Sequence, residues 1–157
     1  MGIDERLAEL RIELPPPPAV AGSYVPALVS EDLVYVSGQV PLIEGQVLHP
    51  GKVGGDVSLE EAQEAAHRCA LQALSVLRNE LGSLDRIVRI VQVTIYVASA
   101  PGFTDQPRVA NAASELFVDV LGEAGRHTRA AVGVAELPLG VAVELALVAR
   151  VSDAPFA

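Results

Sequence analysis

The two C-terminal strands predicted for this chain are apolar on both of their faces, which constrains the fold more than any other feature. Along 141–149, one alternating set of side chains is Val or Leu from 141 to 147, and the opposite set is Ala or Val except at Glu144. Strands of this kind are normally covered on both sides, and large apolar surfaces are seldom left open on a monomer. The sheet that contains them must therefore be covered twice.

Two amphipathic helices are predicted to supply one of these covers. The first begins at Ser58, which forms a capping-box pattern with Glu61, and ends at Gly82. The second helix spans 105–121. The predicted strands are 32–40, 86–99, 128–135 and 141–151, and a Leu-Pro-Leu-Gly turn at 137–140 is expected to join the last two as neighbours.

These elements predict a two-layer α+β domain, with a mixed, mostly antiparallel sheet and two helices on one of its faces. The uncovered face would then be buried by other copies of the chain. Residues 4–13 have helical spacing, and four prolines at 15–18 favour an extended spacer. We expect residues 1–18 to form an N-terminal helix and proline-rich tether, and 19–157 to form a single domain. The loop at 41–56 has room for one short hairpin.

The composition excludes several classes of function. The formal net charge is −9 and no run of Lys or Arg occurs, so neither nucleic acid nor an anionic membrane is an expected partner. Cys69 is the single cysteine, which rules out an intrachain disulfide and fits a reducing compartment. No stretch is apolar over about eighteen residues, and the acidic N-terminus lacks the features of a secretion signal. We expect a cytoplasmic protein.

Residues that hold metals or phosphates, or that act as nucleophiles, are sparse. The three histidines are well separated in sequence, and the Glu-x-x-His spacing of Glu64 and His67 lacks the second copy that a di-iron bundle requires. The glycines in GKVGGD match neither phosphate-loop pattern. Ser37 does not lie in a nucleophile elbow. We expect no metal and no cofactor.

Arg129 and Glu144 are charged side chains set into the apolar C-terminal strands. Arg129 shares its predicted face with Ala131 and Gly133, and such small neighbours would leave room for a ligand. A guanidinium can bind a carboxylate through two parallel hydrogen bonds. If the strands pair through the turn at 137–140, the two charged groups lie close together. They form either a site for a small acid or an ion pair whose only role is specificity or assembly.

Four short motifs occur in order: GSYVPA at 22–27, VSGQVPL at 36–42, VANAASELF at 109–117 and HTRAAVGVAELPLGVAVELALVA at 127–149. In this order and spacing they resemble the Rid family (RidA, YjgF), the reactive-intermediate deaminases. The likeness extends from about residue 20 to residue 151. The chain departs from the family at Ala130 and Ala131, where the family often has a hydroxyl residue and a cysteine.

The resemblance implies a chorismate-mutase-like fold of the bacillus type and a homotrimer with pockets between its subunits. It implies hydrolysis of 2-imino acids, or their enamine tautomers, to 2-keto acids and ammonia. Arg129 would grip the substrate carboxylate, and Glu144 would position or activate water. Tyr24 and Gly38 would line the pocket, and Asn111 would join this substrate-binding set from the subunit interface. The implied partner is a small 2-imino or 2-keto acid.

Other interpretations stay open. A non-catalytic binding protein for small carboxylates would use the same arginine but would not need a nearby anion such as Glu144. An endoribonuclease or translation inhibitor, as some relatives are described, conflicts with the net charge of −9. A chorismate-mutase-type reaction requires several cations around a dianion, and only Arg129 is well placed for that.

Overall fold

A computed structural model of the chain describes residues 1–20 and 22–153. The helices are α1 (Ile3–Glu9), α2 (Leu59–Leu81) and α3 (Gln106–Leu121). The strands are β1 (Ala27–Ser30), β2 (Leu33–Gln39), β3 (Leu42–Ile43), β4 (Gln46–Val47), β5 (Ile87–Ala98), β6 (Thr128–Val134) and β7 (Val143–Val151). Short 3₁₀ turns lie at Leu84–Arg86, Gly122–Gly125 and Pro138–Gly140. Strand β1 is not predicted from the sequence, because it is short and mostly exposed.

Five strands form one sheet in the order β1-β2-β7-β5-β6. Neighbouring strands are antiparallel except β5 and β6, which run parallel. Parallel neighbours need a crossover connection, and α3 provides it between β5 and β6. The predicted pairing of the last two strands is therefore wrong. Strand β5 lies between them, and the turn at Pro138–Gly140 carries the chain past the end of β5.

Helices α2 and α3 pack side by side on one face of this sheet, as predicted. The core between the layers is mainly aliphatic and includes Phe117 and Cys69, and Leu74, Leu77, Ile90 and Ile95 are among its fully buried side chains. The mixed two-layer α+β fold is confirmed. Within residues 1–20 and 22–153, none of the helices combines the length and apolar character that crossing a bilayer requires.

The ends of α2 follow directly from its sequence. Ser58 Oγ accepts a hydrogen bond from the Glu61 amide at 3.1 Å, and Glu61 Oε2 accepts one from the Ser58 amide at 2.9 Å. This reciprocal pair satisfies two amides that the first helical turn leaves without partners. Gly82 then ends the helix with a φ of 79°, a conformation that glycine adopts without steric penalty. Both predicted boundaries are confirmed.

No helix formed by residues 1–20 or 22–153 lies on the second face of the sheet. Leu28, Tyr35 and Val132 project from it and are exposed. The register places Leu28, Tyr35 and Val148 in one row across three strands. We call this surface the open face. The cover that the sequence requires for it does not come from the described residues of the same chain.

The N-terminal helix docks on the helical layer. Leu7 is buried, and Arg6 Nε donates to the Asp119 carbonyl of α3 at 2.9 Å. Helix α1 ends at Glu9, earlier than the predicted 4–13, and Arg11 adopts a left-handed φ of 56°. Residues after it turn back along the helical layer instead of extending the helix.

The four prolines run along α2. Pro15 is buried, and its carbonyl accepts a hydrogen bond from Ser75 of α2. The hairpin predicted in the loop at 41–56 is confirmed as β3 and β4. Gln72 of α2 holds this region through its Nε2, which donates to the Val40 carbonyl at 2.7 Å.

Removal of the α2 cap should destabilise the fold measurably. We expect Ser58→Ala to lower the free energy of unfolding by about 1 kcal/mol, because the Glu61 amide loses its acceptor at the helix start. Urea denaturation would measure the change, with Ser30→Ala at the exposed end of β1 as the control. Equal losses in both variants would contradict a specific capping contribution.

Candidate functional site

Arg129 lies on the edge strand β6 and points toward α3. Its Nη1 donates to Asn111 Oδ1 at 2.9 Å and to Ser114 Oγ at 3.1 Å, and its Nη2 donates to the Pro107 carbonyl at 3.4 Å. The pairing of Arg129 with Val93, a core residue, confirms that this side chain lies on the helical face of the sheet. The structure thus brings together Asn111 and Arg129, two residues that were predicted to belong to one site.

These contacts leave part of the guanidinium free. Both N–H groups of Nη1 and one of Nη2 are committed to α3, so Nε and the second N–H of Nη2 have no hydrogen-bond acceptor among the described residues. The side chain is exposed. An arginine that is anchored through Nη1 and one N–H of Nη2, and open at Nε and the other N–H of Nη2, is suited to bind an incoming carboxylate in a defined orientation.

Gly133, one of the small residues on the same face as Arg129, serves helix packing and does not leave room for a ligand. A Cβ on Gly133 would lie 2.8 Å from Gln106 Nε2 and 3.1 Å from Ser99 Oγ. The first turn of α3 therefore occupies the space that Gly133 opens. The prediction that small neighbours leave ligand space on this face is wrong at Gly133, since a glycine can also admit a close helix.

Glu144 lies on β7 and faces the open side of the sheet, where it is paired with Tyr96 of β5. A Cβ on Gly38 would lie 2.6 Å from Glu144 Oε2, so the carboxylate packs directly against the Gly38 backbone. Glu144 is half-buried, and this burial raises the pKa of its carboxyl group. Among the described residues, its carboxylate has no hydrogen-bond or ion-pair partner.

Tyr24 and Gly38 line a common cavity of about 100 Å³. Leu139 and Pro18 form other parts of its wall, so the N-terminal segment contributes to it. Tyr24 is 53% exposed and Leu139 70% exposed, which leaves the cavity open toward solvent in a single chain. Glu144 adjoins this cavity through its contact with Gly38.

Arg129 and Glu144 do not meet within one chain. Arg129 is level with Val93 and faces the helices, whereas Glu144 is level with Tyr96 and faces away from them. Two strand spacings and three residues of rise separate their Cα atoms by roughly 14 Å. Their predicted proximity is wrong, because β5 lies between their strands, and an ion pair between them inside one subunit is excluded.

The site residues instead form two groups. Arg129 and Asn111 make an arginine half-site at the β6 edge under α3. Glu144, Gly38 and Tyr24 make a glutamate half-site on the open face, toward the opposite edge of the sheet.

Comparison with known proteins identifies the family to which this fold belongs. Residues 4–151 match the family model described as "YjgF/chorismate_mutase-like, putative endoribonuclease". The chain belongs to the YjgF family. It is 45% identical to the protein TCP17 of Trypanosoma cruzi over 140 residues, which is 88% of each chain.

Two solved structures are similar to this chain over almost its whole length. The protein Atu1372 from Agrobacterium tumefaciens, described as having unknown function, is 43% identical with a TM-score of 0.88, and the match covers 96% of this chain and 93% of that one. A Shewanella oneidensis protein described as "a putative endoribonuclease" is 28% identical with a TM-score of 0.92, over 96% and 100% of the two chains. The resemblance inferred from the short motifs is therefore confirmed at the level of the family.

Two further polar residues, which the likeness to YjgF proteins did not suggest, belong to the surroundings of Arg129: Ser114 contacts its guanidinium, and His127 contacts Ser114. Ser114 Oγ lies 2.9 Å from His127 Nε2, and His127 Nδ1 lies 2.6 Å from the Gly125 carbonyl oxygen. The pKa of His127 is lowered, chiefly by burial and also by the charge of Arg129, although its bond to Gly125 opposes the shift. Sequence reasoning missed this pair, since Ser114 lies on a helix and His127 follows a turn.

The remaining histidines, His49 and His67, lie away from both half-sites in this YjgF-family chain. His49 Nε2 lies 2.7 Å from Glu64 Oε2, a contact between the loop after β4 and the exposed side of α2. Burial lowers the pKa of His67. In the described ranges, no group of three or more His, Cys, Asp or Glu side chains is placed to hold a metal ion.

The unpaired Glu144 should make the folded chain less stable at neutral pH. Because burial raises its pKa, the folded state binds this proton more tightly than the unfolded state. Proton binding to Glu144 therefore stabilises the fold fully only below the ordinary pKa of glutamate. This stabilisation is lost as pH rises through the pKa that Glu144 has in the folded state. We expect Glu144→Gln to be more stable than the wild type at pH 7, and the difference to vanish below about pH 4.

Urea unfolding at both pH values and one protein concentration would test this expectation. Glu115→Gln, on the exposed side of α3, is the matched control and should show no comparable gain. A loss of stability in Glu144→Gln at pH 7 would show that the carboxylate has a stabilising structural partner.

Proposed function

We propose that this YjgF-family chain hydrolyses small 2-imino acids, or their enamine tautomers, to 2-keto acids and ammonia. The division of the candidate site into two half-sites carries the proposal. One half-site offers an anchored guanidinium and the other a partly desolvated carboxylate. Among the residues that the structure describes, two N–H groups of the guanidinium and the whole carboxylate have no partner. The two groups complement each other chemically, but only a second copy of the chain can bring them together.

The arginine half-site would bind the substrate carboxylate. Nε and Nη2 of Arg129 can donate to its two oxygens while Nη1 stays bonded to Asn111 and Ser114. Binding at a fixed fork orients the adjacent imine carbon and removes rotational freedom before the reaction. The reacting group is already electrophilic, so the chemistry requires no covalent nucleophile.

The glutamate half-site would activate water. Glu144 accepts one proton as water adds to the imine carbon and passes it to the nitrogen. It then accepts the hydroxyl proton as the carbonyl forms and passes it to the same nitrogen, which leaves as ammonia when the carbon–nitrogen bond breaks. The balance is one imino acid and one water giving one keto acid and one ammonia. A raised pKa suits this exchange because it brings the carboxyl group closer to the operating pH.

The two half-sites suggest a cyclic assembly. An interface that joins one surface patch to a different patch on the next copy closes into a ring when the rotation permits. A homotrimer built in this way would place each arginine half-site against a neighbouring glutamate half-site and would bury the apolar open face. The exposed side chains Leu28, Tyr35 and Val132 support such burial.

A binding protein for small carboxylates is the alternative that uses the same arginine. Such a protein gains nothing from an unpaired carboxylate next to an anionic ligand, whereas a hydrolase does. The family description also names an endoribonuclease, but a net charge of −9 opposes binding of a polyanion. We therefore favour the hydrolase.

We also place the reaction in the cytoplasm. The only cysteine, Cys69, is a buried free thiol, and burial raises its pKa. This usage matches a compartment in which disulfides are not needed.

Loss of the guanidinium should abolish the activity. We expect Arg129→Ala to reduce kcat/KM about 100-fold or more toward 2-aminoacrylate generated in situ, because two charge-assisted hydrogen bonds to the substrate are lost. Release of keto acid and ammonia above the spontaneous rate is the measurement. Arg126→Ala, which removes a nearby exposed arginine paired with Glu123, is the matched control and should keep wild-type activity. Equal rates for all three proteins would reject the role of Arg129.

Mixing two inactive variants would test whether the site is shared between subunits. If Arg129→Ala and Glu144→Gln are unfolded together and refolded as mixed trimers, about a quarter of the clefts should combine an intact arginine half-site with an intact glutamate half-site. Activity should then return to a similar fraction of the wild-type value. Variants refolded separately and then mixed are the control. No recovery in mixed assemblies of verified mass would contradict a site built from two chains.

A further inference from the structure

A continuous chain of hydrogen bonds leads from the start of β6 to the guanidinium of Arg129. The Gly125 carbonyl lies 2.6 Å from His127 Nδ1, His127 Nε2 lies 2.9 Å from Ser114 Oγ, and Arg129 Nη1 lies 3.1 Å from the same Oγ. Ser114 is therefore shared between the histidine and the arginine.

The donors and acceptors permit one arrangement for a neutral ring. A carbonyl can only accept, so Nδ1 of His127 carries the proton and donates to Gly125. Nε2 is then an acceptor, and the Ser114 hydroxyl donates its proton to it. This orients the lone pairs of Ser114 Oγ toward Arg129, whose N–H groups can only donate. Every hydrogen bond in this series therefore joins one donor to one acceptor.

The histidine is itself held rigidly. Its ring stands edge-on to Phe117 of α3, with ring centroids 5.8 Å apart and planes at 87°. The neighbouring turn is tight as well, because a Cβ on Gly125 would lie 2.1 Å from the Phe117 carbonyl oxygen. The position of the Ser114 proton is thus set by a ring that is fixed against the same helix that carries Ser114.

We propose that Ser114 and His127 are positioning residues for Arg129: the histidine orients the serine hydroxyl, and the hydroxyl holds Nη1 so that the rest of the guanidinium faces the substrate carboxylate. This proposal rests on the carboxylate-binding role proposed above for Arg129. Without Ser114, Nη1 would keep only its bond to Asn111, and the other anchor of the guanidinium would be the long 3.4 Å contact of Nη2 with the Pro107 carbonyl. Two anchors on one nitrogen define its plane, and a planar fork discriminates by orientation.

Such residues should affect binding more than chemistry. They act on the carboxylate contact, which is the same in the bound substrate and in the transition state, so their loss raises KM and leaves kcat nearly unchanged. A group that merely supports the fold would instead lower the thermal midpoint without a selective effect on KM.

Direct ligand binding gives a readout that does not depend on turnover. With 2-oxobutanoate as the probe in titration calorimetry, we expect Ser114→Ala to raise Kd about 5- to 10-fold, because the loss of one ordinary hydrogen bond leaves the guanidinium less firmly oriented. Ser114→Thr retains the hydroxyl and should restore most of the affinity. Glu115→Ala, the adjacent exposed position of α3, is the matched control and should bind like the wild type.

A double-mutant cycle distinguishes a relay from two independent contacts. Removal of His127 by His127→Ala should weaken binding in the wild type, but should have no further effect in Ser114→Ala if the histidine acts only through the serine. Additive losses would overturn the relay. If His127→Ala does not fold, the comparison of Ser114→Ala with Ser114→Thr decides the role of the hydroxyl, and equal affinities would overturn the proposal.

The histidine tautomer can be measured separately. Nitrogen-15 chemical shifts of the His127 ring should show a proton on Nδ1 at pH 7.5 in the wild type, and a protonated Nε2 would contradict the arrangement. Ligand binding distinguishes failure of the proposed function from failure of the positioning role of Ser114 and His127. If the wild type binds no 2-keto acid, the proposed function fails. If the wild type binds and Ser114→Ala binds equally well, only the positioning role fails.

Discussion

The parallel pairing of β6 with β5 is the constraint on which the rest of the molecule depends. It requires α3 as a crossover, and it places β6 at the sheet edge beneath that helix. In this register Arg129 points at Asn111 and Ser114. A shift of one residue would turn the guanidinium to the open face, because side chains alternate along a strand. Strand order and register thus create an anchored arginine.

The same strand order separates the arginine from the glutamate. Glu144 projects from the opposite face, two strands away, and its carboxylate lies against Gly38 without a partner in the described residues. An unpaired, half-buried carboxylate is unfavourable for the folded state, and perturbed groups of this kind are common at functional sites. The open face that bears Glu144 is also the apolar surface that a monomer would leave exposed. Assembly and formation of the proposed site would therefore be one event, driven by burial of the same surface.

Most of the secondary structure was predictable because its signals are local. The capping pair Ser58 and Glu61, the glycine after α2 and the alternation of β5 each depend on residues a few positions apart. The site was predictable in part, since motifs pointed to Arg129, Asn111, Gly38 and Glu144. The pairing of β6 was not predictable, because the turn at Pro138–Gly140 is compatible with a hairpin or with a crossing past β5. The contact between Ser114 and His127 was not predictable either, because only the turn before β6 brings the two residues together.

The amino-acid sequence by itself determined the class of fold, the two helices on one side of the sheet and the need for a second cover over the apolar strands. These follow from hydrophobic spacing, which reports the environment of each face. Only the tertiary structure decided that Arg129 and Glu144 belong to different faces and that a histidine and a serine stand behind the arginine. The reason is that strand order is set by hydrogen bonds between segments far apart in sequence, and hydrophobic spacing carries no information about which strands become neighbours.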